Sequence, residues 1–136
     1  MTLRFLADTN VLSELARPSP DPTLTQRLTA AAGSLALAAP TWHELWFGVD
    51  RLAPSRRKTS LAMFLSELEA TLPVLPYDAA AATWHARERA RLEAKGKTAP
   101  FVDGQIAAIA ATRGLTLVTR NVRDFAPFEG VSLERW

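Results

Sequence analysis

The stretch LRFLADTNVL, residues 3–12, changes character at one position. Residues 3–7 are mostly apolar, which predicts a short buried strand, and Asp8, Thr9 and Asn10 follow without a break. In an open α/β sheet, the ligand binds beyond the carboxyl ends of the strands. The sequence therefore places Asp8 at a candidate binding site, although an acid before a helix also commonly serves as its cap.

The length and amino-acid composition limit the classes of protein to which this chain can belong. The chain has 136 residues, so we expect residues 1–136 to form one domain. Hydrophobic residues make up 48% and charged residues 22%, as in soluble globular proteins. The chain contains no cysteine, which excludes disulfides and thiolate metal ligands. No apolar run approaches the roughly 20 residues of a membrane helix and no signal-peptide pattern is present, so we expect a cytoplasmic location without membrane contact. The net charge of +2 is a weak indication of a polyanionic partner.

The rest of the chain alternates strand and helix patterns. Further strands are predicted at residues 35–38 and 115–118, with a strand or connector at 73–76 and an edge strand at 130–133. Helices are predicted over residues 10–16, 22–32, 41–52, 61–68, 79–95 and 103–113. This alternation predicts an α/β fold of three layers around a mostly parallel sheet with right-handed crossovers. The third and fourth helices are expected to form a hairpin that stands off the sheet.

Several polar residues precede predicted helices in cap positions. Asp21, which stands before Pro22, and Asp78 are predicted N-caps. Thr41 and Glu44 match a capping box, which gives Glu44 a structural alternative to a functional role.

Aromatic residues are concentrated at the start of the third predicted helix. Trp42, Trp46 and Phe47 offer more aromatic surface than one helix needs inside a small core. An interface with a second copy or a partner is one interpretation, and ordinary core packing is the other. His43 and His85 have no Ser or Cys partner, so we expect both at a helix surface or interface rather than in a catalytic triad.

Four acidic positions point to one edge of the predicted sheet. Asp8 and the loop at residues 121–124 follow strands, while Glu44 and Asp103 lie near the start of helices that follow a strand or loop. Capping explains each acid separately, but it does not explain why they converge. Converging carboxylates repel one another unless cations lie among them. Oxygen ligands without Cys suit Mg²⁺ or Mn²⁺, and a pair of such ions roughly 3.5–4 Å apart activates water in phosphodiester cleavage.

A basic run on the fifth predicted helix leads toward Asp103. Arg87, Arg89 and Arg91 are candidate contacts for the phosphates of RNA, although a charged run on a helix is usually only a solvated face.

Four motifs occur in a specific order: LADTNVLSEL at residues 6–15, Glu44 with Gly48, DGQIAA at 103–108 and LVTRNVRDF at 117–125. In order, spacing and total length, they resemble the PIN-domain signature of the small VapC-type toxin ribonucleases of bacterial toxin–antitoxin pairs. The resemblance covers nearly the whole chain. Each motif alone is weak, but the four in this order are specific.

The resemblance implies a PIN-like fold and an Mg²⁺- or Mn²⁺-dependent endoribonuclease that cleaves RNA with metal-activated water. Asp8, Glu44 and Asp103 would hold the metal, and Asp124 would be the fourth catalytic acid in preference to Asn121. The resemblance further implies that Thr9, Asn10, Thr119, Arg120 and Asn121 orient the metal-holding carboxylates or position the substrate. For Arg120, either a phosphate contact or an acid partner is open. The implied partners are RNA, a cognate antitoxin and a second copy of the chain, with operator DNA bound through the antitoxin.

Three other functions compete with this interpretation. A haloacid-dehalogenase-like phosphatase needs a second acid two residues after Asp8, where this chain has Asn10, and a Lys that is missing near Asp103. A non-catalytic module of PIN-like fold would keep the acids only as caps. A structure-specific DNA nuclease would need extra helical regions, for which 136 residues leave little room.

Overall fold

The computed structural model describes residues 2–136, and its sheet confirms the predicted parallel architecture. Five strands pair in the order β3-β2-β1-β4-β5, and every neighbouring pair is parallel. The strands are β1 (Phe5–Ala7), β2 (Leu35–Ala38), β3 (Val74–Leu75), β4 (Thr116–Val118) and β5 (Ser132–Glu134). The strand predicted at residues 3–7 is therefore central, with β2 on one side and β4 on the other.

Seven α-helices connect the strands within residues 2–136. They are α1 (Thr9–Leu15), α2 (Pro22–Ala31), α3 (Ala39–Asp50), α4 (Arg56–Thr71), α5 (Ala79–Ala94), α6 (Phe101–Thr112) and α7 (Val122–Phe125). None of the helices in this described part is long and apolar enough to span a membrane. The predicted pairing of α3 with α4 is confirmed, and Lys58 Nζ closes their turn by donating to the carbonyls of Asp50 and Leu52.

Alternation along the central strands separates the core into two parts. Leu6 of β1 faces one cluster together with apolar residues of α5 and α6. The next residue, Ala7, faces the other cluster, which includes apolar residues of α1, α2, α3 and α4. Successive side chains of a strand point to opposite faces, so the sheet carries helices on both sides. This arrangement is the predicted three-layer α/β/α fold.

The predicted caps at Asp21 and Asp78 are confirmed, but the capping box is wrong. Helix α3 begins at Ala39, immediately after β2, with Pro40 in its first turn. Proline is pre-organised for that position, so the helix starts before Thr41. Thr41 is fully buried, and its hydroxyl finds no hydrogen-bond partner within residues 2–136. Glu44 therefore lies in the second turn and caps nothing.

The expectation for His85 was also wrong. His85 is 3% exposed between α5 and α6, and its Nδ1 is hydrogen-bonded to the Tyr77 hydroxyl at 2.9 Å. The packing depends on Gly104, because a Cβ at that position would lie 2.1 Å from His85 Nε2. Burial lowers the pKa of His85, and the nearby Arg89 guanidinium lowers it further. His43 is exposed, as expected.

The aromatic residues of α3 do not all follow one of the two interpretations, core packing or an interface with another chain. Trp42 and Trp46 are half-buried against the core beside α1, α2 and α4, whereas Phe47 is 54% exposed. An interface at Phe47 stays a prediction.

Candidate active site

Asp8 lies at the carboxyl end of β1, where the strand passes into α1. Its Oδ1 accepts a hydrogen bond from the Thr9 backbone N–H at 2.8 Å. Its Oδ2 accepts from Asn10 Nδ2 and from the Thr119 hydroxyl, both at 2.9 Å. Asp8 is thus the N-cap of α1 as well as a residue of the cleft. Both interpretations of this position hold at once, because the cap uses only one of the two oxygens.

The hydroxyl of Thr119 has a fixed orientation. It donates to Asp8 across the boundary between β1 and β4 and accepts from the Asn121 backbone N–H at 2.9 Å. Thr119 is fully buried, so no water competes for this hydroxyl. Thr9 contributes its backbone N–H to Asp8, and no hydrogen bond of its hydroxyl to Asp8 is present within residues 2–136.

Asn10 joins the loops that follow β1 and β4. While its amide nitrogen donates to Asp8, its Oδ1 accepts from the Arg120 backbone N–H at 3.0 Å. The Arg120 carbonyl in turn accepts from Arg135 at 2.6 Å. The second loop is therefore held from two sides, which fixes the position of Thr119 relative to Asp8.

Arg120 is paired with an acid inside the protein. Its guanidinium donates to Asp21 Oδ2 at 2.6 Å, and this ion pair lowers the pKa of Asp21 below its usual range. Of the two roles considered for Arg120, the structure supports the acid partner over the phosphate. Sequence reasoning missed the second role of Asp21, because 99 residues separate it from Arg120.

Asp103 occupies the first turn of α6, with its carboxyl in the same cleft as Asp8. Burial, followed by the charges of Asp8 and Asp124 in that order, raises the pKa of Asp103 to about 6. Burial also raises the pKa of Asp8, against the opposing effect of its hydrogen bonds, and Asp124 adds to the increase. The segments that follow β1 and β4, together with the first turn of α6, therefore bring the carboxylates of Asp8, Asp124 and Asp103 close enough for their charges to interact.

Both candidates for the fourth acidic position lie at this site. Asn121 lines the cleft and precedes α7, whereas Asp124 is exposed within α7. Only Asp124 carries charge, and its effect on the pKa values of both Asp8 and Asp103 places that charge close to them. The electrostatics support Asp124 as the fourth acid and leave Asn121 as a neutral cleft residue.

Glu44 extends from α3 into the other side of the cleft. Its carboxylate is exposed and forms no ion pair within residues 2–136. Sequence reasoning missed Glu14 and Val102, which line the cleft with it. Glu14 follows Asn10 by four residues on α1, so the helical spacing from Asn10, which also lines the cleft, could have found it.

The candidate metal ligands of the cleft are chemically suited to a hard divalent cation. Every charged ligand candidate is a carboxylate, and two of them have raised pKa values that a cation would lower again. As the side chains stand, no three acidic or histidine residues in the described part of the chain are grouped closely enough to hold one ion. Glu44 and Asp124 are exposed, so these two side chains have room to move toward Asp8 and Asp103.

The three candidate RNA contacts of α5 differ in their surroundings. Arg91 makes two hydrogen bonds to Glu88, at 2.7 and 2.9 Å, and one to the Pro127 carbonyl, so its guanidinium is engaged within the protein. Arg89 lies 3.6 Å from Glu93 but is exposed, and Arg87 is exposed without an ion pair within residues 2–136. The contacts support Arg87 and Arg89 as RNA contacts more than Arg91.

Comparison with known proteins agrees with the fold. The family model of the PIN domain matches residues 5–129. The tRNA(fMet)-specific endonuclease VapC of Salmonella typhimurium is 33% identical over 135 residues, which cover 98% of each chain. The structure of DNA-bound VapBC from Salmonella typhimurium superposes with a TM-score of 0.88, at 29% identity and 98% coverage of both chains. A toxin–antitoxin complex from Klebsiella pneumoniae superposes with a TM-score of 0.68, at 28% identity and 93% coverage of both chains. With a family match over most of its length and full-length similarity to a VapC endonuclease, the chain belongs to the PIN-domain family.

Proposed function

We propose that this protein is a VapC-type toxin that hydrolyses RNA phosphodiester bonds with Mg²⁺ or Mn²⁺. The similar endonuclease from Salmonella typhimurium carries a ribonuclease name, and the similar solved structures include a toxin–antitoxin complex. Site chemistry supports the same activity, because the carboxylates lie beyond the ends of parallel strands, where open α/β sheets bind their ligands.

One observation carries the proposal. Asp8, Asp103 and Asp124 come from three distant parts of the sequence, yet the charge of Asp124 raises the pKa of both Asp8 and Asp103, and the charge of Asp8 raises that of Asp103. Such a cluster costs free energy in the absence of a counter-charge, and the cost falls when a divalent cation binds among the acids. Helix capping accounts for Asp8 alone and gives no reason for Asp8, Glu44 and Asp103 to line one cleft.

The residues divide the work according to their contacts. Asp8, Glu44 and Asp103 would hold the metal, with Asp124 as the additional catalytic acid. When bound, the metal supplies an activated water nucleophile and stabilises the leaving oxygen. Thr119 and Asn10 keep the Asp8 carboxylate in one orientation, as polar partners of metal ligands commonly do. Asn121 lines the cleft as a neutral group that would position the substrate.

The proposal extends to partners and setting. An antitoxin would cover and inhibit the protein, operator DNA would be bound through the antitoxin, and the protein would form a homodimer in the cytoplasm. Residues 1–136 would act as one nuclease domain. The phosphatase alternative requires a proton-transferring acid at position 10, which the amide of Asn10 cannot replace; in this structure that amide instead joins Asp8 to the Arg120 backbone.

The test is RNA cleavage by the purified protein with Mg²⁺, with Mn²⁺ or with a chelator. We expect cleavage only with metal, and a loss of more than about 10³-fold in Asp8→Asn and in Asp103→Asn, because metal-ion catalysis supplies several kcal/mol. Circular dichroism should show that both variants fold. Glu67→Gln, an exposed acid of α4 outside the cleft, should cleave as the unmodified protein does.

Activity of the Asp8→Asn, Asp103→Asn double variant would contradict the proposal. So would an isothermal titration in which the unmodified protein takes up neither Mg²⁺ nor Mn²⁺, a result that would favour the non-catalytic module instead.

A further inference from the structure

We propose that Phe101 and Arg89 form a platform on which an unpaired base of the RNA stacks beside the catalytic cleft. This inference rests on the proposed ribonuclease activity and adds a substrate feature, an unpaired nucleotide next to the cleaved bond. Phe101 and Arg89, defined here as the stacking platform, lie on α6 and α5 respectively.

The position of Phe101 is unusual for a large apolar side chain. Phe101 is 51% exposed and its neighbour Val102 is 37% exposed, both in the first turn of α6. Val102 lines the cleft together with Asp8 and Asp103. The exposed apolar surface thus begins inside the cleft and continues outward through Phe101, only two residues before a proposed metal ligand.

The phenyl ring of Phe101 is held in place although half of it is accessible. The Arg89 guanidinium lies 5.5 Å from the ring centroid, and the His85 ring lies 4.8 Å away at an interplanar angle of 54°. His85 is itself fixed by Tyr77 and by its close fit over Gly104. A rigid, partly exposed ring loses little conformational freedom when a flat ligand stacks on it.

Charge around the platform selects a nucleotide over an apolar protein segment as the occupant. The Arg89 guanidinium lies over the Phe101 ring, and Lys97 lines a small cavity together with Arg89, His85 and Glu93. Lys97 is exposed and forms no ion pair within residues 2–136. Glu93 offsets the charge of Arg89 from 3.6 Å, so Lys97 leaves the surface next to the Phe101 ring with a net positive charge. Proteins bind unpaired nucleotides where cations adjoin an aromatic ring, with bases on the ring and phosphates on the cations.

The test measures binding separately from cleavage. The Asp8→Asn protein serves as the non-cleaving background, and the probe is a fluorescein-labelled single-stranded RNA of ten nucleotides with mixed sequence. In this background we expect Phe101→Ala to weaken binding about tenfold, as is typical of the loss of one stacked base. Phe101→Trp should bind at least as tightly as the parent, whereas Phe101→Leu should bind almost as weakly as the alanine variant, because leucine keeps the apolar surface but lacks the aromatic face.

The chain provides a matched control for exposed aromatic surface. Phe47 is 54% exposed, and the Arg51 guanidinium lies 5.7 Å from its ring centroid, but neither residue lines the cleft. Phe47→Ala should leave the RNA affinity unchanged, and so should Met63→Ala on α4, where the side chain is 60% exposed. An equal loss in Phe47→Ala and Phe101→Ala would overturn the proposal.

Cleavage assays in the Asp8-containing protein separate this inference from the proposed function. Phe101→Ala should raise KM with a smaller change in kcat, since stacking is available to substrate and transition state alike. Unchanged affinity and KM in a Phe101→Ala protein that cleaves RNA would overturn the platform but not the nuclease. Sedimentation that shows a change of oligomeric state in Phe101→Ala, without a change in RNA affinity, would identify the surface as a protein interface and overturn the proposal.

Discussion

Asp8, on the strand side of the cleft, accepts three hydrogen bonds from the protein, whereas Asp103, Glu44 and Asp124 accept no side-chain hydrogen bond from residues 2–136. The Asp8 carboxylate and the Thr119 hydroxyl on the strand side are buried and hydrogen-bonded. On the helix side, Asp103 is half-buried, Glu44 and Asp124 are exposed, and none of the three forms an ion pair within residues 2–136.

This difference indicates that the strand side and the helix side of the cleft contribute differently to metal binding. A carboxylate fixed by three donors has one orientation and loses little freedom when it binds a metal, which favours affinity. Carboxylates without partners depend on the cation for their stabilisation and are free to adjust to it. We therefore expect substitutions on the strand side to impair the geometry of the site, and substitutions on the helix side to change its charge.

The largest effect on the free energy of unfolding is expected from Thr119→Val, a change of nearly equal volume on the strand side. It removes the buried hydroxyl that donates to Asp8 and accepts from the Asn121 N–H. We expect metal affinity and RNA cleavage to fall about 10- to 100-fold, the usual cost of losing a partner of a metal ligand. The free energy of unfolding should fall by about 1–3 kcal/mol, because buried polar groups lose their partners.

Thr112→Val is the control for Thr119→Val. The Thr112 hydroxyl donates to the Ala108 carbonyl within α6, away from the cleft, so this variant should keep its metal affinity. A Thr119→Val protein with unaltered Mn²⁺ titration would show that the orientation of Asp8 does not depend on Thr119, and the proposed division between the two sides would be lost.

An intermediate effect is expected for the charge of Asp103 in the metal-free protein. The folded protein holds this carboxyl at a pKa of about 6, above the usual value of 3.8. The folded state therefore binds this proton more tightly than the unfolded state does. The stabilisation is fully present below pH 3.8 and is lost as the pH rises toward 6. At neutral pH, the ionised carboxylate destabilises the fold unless a cation is bound.

Asp103→Asn should consequently stabilise the metal-free protein at pH 7 by about 1 kcal/mol, a value reduced because the side chain is partly exposed. Urea denaturation with a chelator should show the gain at pH 7 and no gain at pH 3.5. Saturating Mg²⁺ should stabilise the unmodified protein more than the variant. Equal stability of the two proteins at both pH values would contradict the raised pKa of Asp103.

The sequence was sufficient for features that depend on local pattern and general topology. The apolar run before Asp8 predicted the central strand, and the parallel-sheet rule placed Asp8 and the residues after β4 at one edge. Contacts between distant residues could not be predicted. Which face of α5 meets α6 depends on Gly104, whose missing side chain makes room for His85. Likewise, the partner of Arg120 was hidden because Asp21 already had a local role as the cap of α2.

The start of α3 shows how a local motif can mislead. Thr41 and Glu44 have capping-box spacing, but Pro40 favours an earlier helix start, and burial of Thr41 against the core outweighs the cap. Because this result removes the structural role considered for Glu44, the function of Glu44 can be tested without a confounding change in stability.

Glu44→Gln should therefore have the smallest effect on folding. Glu44 is exposed and forms no ion pair within residues 2–136, so the free energy of unfolding in the presence of a chelator should change by less than about 0.5 kcal/mol. Mn²⁺ affinity and RNA cleavage should nevertheless both decrease, because one of the proposed metal-holding charges is lost. A destabilisation above about 1 kcal/mol without a change in Mn²⁺ affinity would make Glu44 a structural residue of α3. The helix side of the cleft would then hold only Asp103 and Asp124, and the metal would have to be bound without the charge from α3.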